Sequence, residues 1–129
     1  MSLFDKSRAV SYFRSKVEFT LGPAELNHLI RDHADITIMD VRAEDDYRKG
    51  HIPGAINVPK HRWDSFTGLS QTRRHVIYCY TQQCHLATEA CLKFSVKGFR
   101  TMELEGGMDA WKQFGFQVET GEPAVRKAA

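Results

Sequence analysis

The segment HVIYCYTQQCHLATEACLKF, residues 75–94, contains a strand, a loop and a helix in direct succession. The run from His75 to Tyr78 has the length and composition of a buried strand. Four small or apolar residues then recur at i, i+3, i+4 and i+7, which is the stripe of a helix that packs on a sheet: Ala87, Ala90, Cys91 and Phe94. A strand that leads directly into a helix is typical of a parallel crossover unit.

The same alternation extends to both sides of this segment. Apolar runs of strand type stand at residues 17–19, 36–41, 55–58 and 101–104, and helical patterns stand at residues 23–30, 43–49 and 108–114. Residues 60–74 are polar and are expected to be irregular. This order predicts an α/β fold in which a central, mainly parallel five-stranded sheet is flanked by helices on both faces.

The chain divides into three parts on this pattern. Residues 1–16 form an N-terminal extension that could fold as a short amphipathic helix, residues 17–118 form one domain, and residues 119–129 form a loose tail. A chain of 129 residues is enough for one hydrophobic core.

Composition excludes several classes of protein. There is no apolar run of the roughly 20 residues that a membrane helix needs, and no apolar leader near Met1, so neither a membrane protein nor a secreted one is expected. The net charge of +2, with both signs interspersed, gives no basic stripe for nucleic acid. An odd count of three cysteines does not suit a disulfide framework. A cytoplasmic protein is therefore the expectation.

Cys79 is the predicted catalytic residue. It follows a buried strand, and in parallel sheets ligands bind outside the carboxyl ends of the strands. The backbone N–H groups of residues 80–86 can converge beside its sulfur and, with the dipole of the following helix, favour the nucleophilic thiolate. The alternative is a buried cysteine that packs as a small apolar side chain.

Three ordered motifs resemble those of rhodanese domains, and the likeness covers roughly residues 17–118. They are DVR at 40–42 with GHIPGAINVP at 50–59, VIYC at 76–79, and LEGGMDAW at 104–111. The resemblance implies a sulfurtransferase. Cys79 would take a sulfane sulfur from a small anionic donor such as thiosulfate, or from a persulfide, and would pass it to a thiol or protein acceptor. It implies no metal and no organic cofactor.

The loop after Cys79 departs from that family. The usual order is Cys, two residues, Gly, one residue and Arg, but here both the Gly and the Arg are missing and the loop is about two residues longer. Phosphatases of this fold carry an Arg where this chain has His85, so hydrolysis of phosphate esters is the weakest of the enzyme hypotheses. We expect the loop to bind the substrate through Tyr80, Thr81, Gln82, Gln83, Cys84 and His85. Asp40 and Arg42 are expected to support it as a charge pair at a strand end.

Cys84 leaves further alternatives open. It could resolve a persulfide or an oxidised Cys79 by closing a disulfide, which would make the domain a redox sensor that uses Cys79 and Cys84. The missing Gly and Arg also allow a non-catalytic rhodanese-like module that binds a partner or a small ligand. A zinc site is not expected, because His28 and His33 lie on different faces of one helix.

Overall fold

The computed structural model describes residues 3–122 and consists of one sheet covered by helices. The helices are α1 (Lys6–Phe19), α2 (Pro23–Arg31), α3 (Glu44–Lys49), α4 (Leu86–Val96) and α5 (Gly107–Gln113), and a 3₁₀ helix spans Lys60–Ser65. The strands are β1 (Thr20–Leu21), β2 (Ile36–Asp40), β3 (Ile56–Asn57), β4 (Arg74–Tyr78) and β5 (Arg100–Leu104). The sheet order is β1-β5-β4-β2-β3, and every pair is parallel. The predicted α/β fold is confirmed.

Strand β4 lies at the centre of the sheet, between β5 and β2. Its side chains alternate between the two faces, so that Val76 and Tyr78 join one core while Ile77 and the following Cys79 join the other. The first core also contains residues of α2, α3 and α5, and the second contains residues of α4 and the 3₁₀ helix. Cys79 therefore faces α4.

Two predicted elements differ from the structure. Val17–Phe19 was expected to be an edge strand but forms the last turn of α1, and the strand begins at Thr20 because β1 pairs with β5 only at Glu103 and Leu104. Part of the polar segment 60–74 was expected to be irregular, yet Lys60–Ser65 forms the 3₁₀ helix. Trp63 anchors that helix, since its indole N–H donates to the carbonyl of Val58 at 2.9 Å.

The beginning of the predicted loose tail is fixed to the domain. Glu119 and His51 exchange two backbone hydrogen bonds of 2.8 and 2.9 Å, and the N–H of Gly121 donates to the carbonyl of Arg48. The tail therefore does not become loose at Glu119 as expected, and the rest of it, residues 123–129, lies outside the described residues. Among residues 3–122, each helix is too short or too polar to span a bilayer.

Candidate active site

Cys79 sits at the carboxyl end of the central strand, where the neighbouring helix α5 holds the backbone in place. The N–H of Met108 donates to the carbonyl of Cys79 at 2.9 Å, and the N–H of Asp109 donates to the carbonyl of Tyr80 at 3.0 Å. These donors belong to the first turn of α5, whose N–H groups have no partners within the helix. The start of the loop is therefore bonded to α5 as well as to β4.

This contact requires a glycine at position 107. Gly107 has φ +57°, and a β-carbon there would lie 2.6 Å from the carbonyl oxygen of Cys79. We expect Gly107→Ala to displace the loop and to lower the free energy of unfolding by about 1–3 kcal/mol more than Gly98→Ala does. Gly98 is a matched control because it also has a positive φ, +87°, but open space around it. Alanine at that position should lower the free energy of unfolding only by the strain of a left-handed backbone conformation, about 1–2 kcal/mol. Urea unfolding of both variants measures the difference, and equal losses would contradict the close contact.

The site contains two thiols in contact. The sulfur of Cys79 lies 3.4 Å from the carbonyl oxygen of Cys84, which accepts its proton, and each of the two thiols shifts the pKa of the other. Backbone N–H groups favour the thiolate of both residues: those of Ala87 and Tyr80 lower the pKa of Cys79, and those of Leu86 and Tyr80 lower the pKa of Cys84. The loop thus distributes its donors over two sulfur atoms.

This arrangement corrects one expectation, namely that the loop amides hold Cys79 ionised. Burial raises the pKa of Cys79 to about 11, and the backbone N–H groups of Ala87 and Tyr80 offset only part of that rise. Only 3% of Cys79 is exposed, so the loss of hydration outweighs the amides. Partial burial raises the pKa of Cys84 as well, but the donors around it prevail and its pKa is lowered overall. Cys84 is the more acidic thiol of the pair.

The pH dependence of alkylation should separate the two thiols. Because only the thiolate reacts, the rate at Cys84 should level off at a lower pH than for an ordinary cysteine, whereas the rate at Cys79 should rise toward a midpoint of about 11. In Cys84→Ser the midpoint of Cys79 should fall, because Cys84 raises the pKa of its neighbour. Iodoacetamide rates resolved by peptide mass spectrometry give both curves, and the reverse order of midpoints would refute this assignment.

The other residues expected to bind substrate have different positions. Tyr80 donates its hydroxyl proton to Asp46, at 2.6 Å, and lies at the mouth of the loop. Thr81 accepts from the N–H of Cys84 and so closes a turn, while Gln82 accepts from the N–H of Gly106 on the β5–α5 turn. Gln83 and His85 are exposed, as are Tyr80, Thr81 and Gln82, whereas Cys84 is half-buried.

Asp40 and Arg42 form a buried ion pair at the end of β2. The guanidinium donates to both carboxylate oxygens at 2.8 to 3.2 Å, and Tyr78 donates its hydroxyl proton to the same carboxylate at 2.7 Å. Arg42 also donates to the carbonyl of Gly50 and stacks near the ring of Tyr80, 5.6 Å from its centroid. The predicted charge pair thus lies under the first loop residue, and it can support the loop through that ring.

A groove of about 850 Å³ opens beside the loop. Its walls come from the end of β2, the first turns of α3 and the start of the 3₁₀ helix, and they include Ala43, Glu44, Arg48, Lys60 and His61. The contribution of the α3 residues was not predicted from the sequence. No pattern in the sequence showed that α3 begins beside the loop.

The third thiol, Cys91, lies on α4 and packs against the same core cluster as Cys79. Cys91 packs in the α4 face, and burial raises its pKa to about 12. Within residues 3–122 there is no group of three or more His, Cys, Asp or Glu side chains arranged to hold a metal ion.

Comparisons with known proteins agree with this architecture. An HTH-type transcriptional regulator of Mycobacterium tuberculosis, Rv0324, is 35% identical over 94 residues, which are 72% of this chain and only 42% of that protein, so the chain spans less than half of that relative. A sulfurtransferase of Allochromatium vinosum is 27% identical over 99 residues, 75% of this chain and 91% of that protein. The crystal structure of BH2092 from Bacillus halodurans has a TM-score of 0.82 and 31% identity, covering 90% of this chain and 87% of that one.

The family model described as "Rhodanese-like domain" matches residues 22–114. That match includes four of the five strands and the whole Cys79 loop. The chain therefore belongs to the family of rhodanese-like domains.

Proposed function

We propose that this domain is a sulfurtransferase in which Cys79 takes a sulfane sulfur from a small anionic donor, such as thiosulfate or a persulfide, and passes it to a thiol or protein acceptor. The observation that carries the proposal is the position of Cys79 at the end of the central strand, beside the loop, where the backbone N–H groups of Ala87 and Tyr80 favour its thiolate. The sulfurtransferase name of one relative supports the same chemistry.

The chemistry has two halves. The Cys79 sulfur attacks the donor, a sulfur–sulfur bond forms, and the rest of the donor leaves with the electron pair of its broken bond. An acceptor thiolate then attacks the outer sulfur and regenerates Cys79. Because Cys79 is protonated at rest, its proton must leave during the attack, and water or the leaving group takes it up.

Mass spectrometry after a single exposure to donor tests this proposal. At the earliest times we expect thiosulfate or a low-molecular-weight persulfide to add one sulfur atom to the peptide that contains Cys79, and thiosulfate to release sulfite. If neither donor adds sulfur to that peptide, and neither gives a released product such as sulfite, the sulfurtransferase proposal is wrong.

A non-catalytic binding module is the second candidate. The burial of Cys79 favours it, because a thiol that is 3% exposed and has a raised pKa reacts slowly. A Cys79 that stays unalkylated up to the pH of its own pKa would favour the module over the enzyme.

For the enzyme we further propose a reducing compartment such as the cytoplasm, since the reaction needs free thiols.

A further inference from the structure

We infer that Cys84 is the resolving thiol of this site: its sulfur attacks the sulfur of a persulfidated Cys79, closes a disulfide and releases the carried sulfur as hydrosulfide. The inference rests on the proposed function, because it requires a persulfide on Cys79. It adds an activity, the reductive release of sulfide from a sulfane sulfur donor, and it adds a partner class, an external dithiol that reopens the disulfide.

The loop brings Cys84 back onto Cys79. The N–H of Cys84 donates to the carbonyl of Thr81 at 3.3 Å, which closes a turn, and the side chain of Gln82 fixes that turn to the backbone of Gly106. The turn leaves the backbone carbonyl of Cys84 3.4 Å from the Cys79 sulfur, and the two thiols are near enough to shift each other's pKa. The sulfur within reach of Cys84 is therefore the Sγ atom of Cys79 itself. When Cys79 carries a persulfide, this atom is the inner sulfur.

The two thiols are suited to different roles. Cys79 is buried, which protects a persulfide from solvent, whereas Cys84 is only partly buried and is surrounded by the N–H groups of Leu86 and Tyr80. Those donors favour its thiolate, which is the form that attacks a sulfur–sulfur bond. Cys91 also interacts with Cys79, but burial raises its pKa to about 12, so its thiol stays protonated and is a poor nucleophile beside Cys84.

The step balances as a thiol–disulfide exchange. A bond forms between the sulfurs of Cys84 and Cys79, the bond between Cys79 and the outer sulfur breaks, and the outer sulfur leaves as hydrosulfide with the electron pair of that bond. The carried sulfur is reduced to sulfide while the two cysteines are oxidised to a disulfide. An external dithiol then reduces the disulfide and is itself oxidised to its own disulfide.

A single-turnover experiment without reductant tests the inference. The reduced protein is exposed to one equivalent of thiosulfate, and the hydrosulfide released and the intact mass are followed with time. The wild type should release about one equivalent of hydrosulfide and end with two hydrogens fewer and a Cys79–Cys84 disulfide in its peptide map. Cys84→Ser should keep the added sulfur and release roughly tenfold less hydrosulfide. Cys91→Ser is the matched control and should behave as the wild type does.

Three other outcomes overturn the inference. If the wild type keeps the added sulfur as long as Cys84→Ser does, Cys84 does not resolve the persulfide, although the sulfurtransferase proposal stands. If the sulfur moves onto Cys84 without release of hydrosulfide, the attack is on the outer sulfur and the site is a relay. If neither protein shows an adduct or sulfide, both proposals fail. Circular dichroism confirms that the variant is folded, and Cys84→Ala repeats the test without a hydroxyl.

Discussion

Replacement of Cys79 by serine (C79S) is expected to lower the rate of sulfur transfer by at least about 10³-fold, as for the loss of other covalent nucleophiles. A serine hydroxyl does not form the sulfur–sulfur bond on which the transfer depends. Because the side chain differs by one atom, and the backbone of residue 79 is fixed by Met108 of α5 and by β4, the fold should persist. The measurement is the initial rate of transfer from thiosulfate to a thiol acceptor, together with the far-ultraviolet circular dichroism spectrum.

Cys91→Ser is the matched control for this prediction. Cys91 is also a free thiol of the α4 face with a raised pKa, but it lies in the helix and not at the loop. We expect the Cys91→Ser rate to stay within about twofold of the wild type. A C79S protein that still transfers sulfur at a tenth of the wild-type rate or more would show that another group, with Cys84 as the first candidate, takes the sulfur from the donor.

The position of the candidate site could be predicted from sequence because it depends on local patterns. An apolar run followed by a helical stripe is enough to place Cys79 at a strand end, and the parallel alternation puts that end on the ligand-binding edge of the sheet. The buried Asp40–Arg42 pair was also predictable, since a carboxylate and a guanidinium two residues apart stand where β2 ends. Both inferences needed only residues that are neighbours in the chain.

The electrostatics of the site could not be predicted in the same way, because they depend on tertiary packing. The pKa of Cys79 follows from how closely α4 covers the sulfur, and no local pattern shows how far burial outweighs the N–H groups of Tyr80 and Ala87. The role of Gly107 was missed for a similar reason. Its contact with the carbonyl of Cys79 exists only because β5 is the neighbour of β4, and strand order is not visible in the sequence.

The buried pair beneath the loop gives the largest expected effect on stability. Asp40 is fully buried and Arg42 is 4% exposed, so replacing Asp40 by asparagine leaves a guanidinium that remains charged without its counter-ion. Loss of one partner of a buried pair costs about 3–5 kcal/mol, a large share of the 5–15 kcal/mol that stabilises a typical domain. We expect Asp40→Asn to lower the free energy of unfolding by that amount, measured by urea unfolding.

Two further variants show whether the unpaired charge is the cause. Tyr78→Phe removes the hydrogen bond to the carboxylate and the one that the hydroxyl accepts from the N–H of Ile52, but it keeps the ion pair, so it should cost about 1–3 kcal/mol, less than Asp40→Asn. Asp40→Leu combined with Arg42→Met removes both charges and should be less destabilised than Asp40→Asn alone, because no buried charge is left unpaired. If the double variant is as unstable as the single one, the cost comes from lost packing or from buried polar groups left without partners, and the ion pair is not what holds this strand end together. Those groups are the N–H of Arg42, the hydroxyl of Tyr78 and the carbonyl of Gly50.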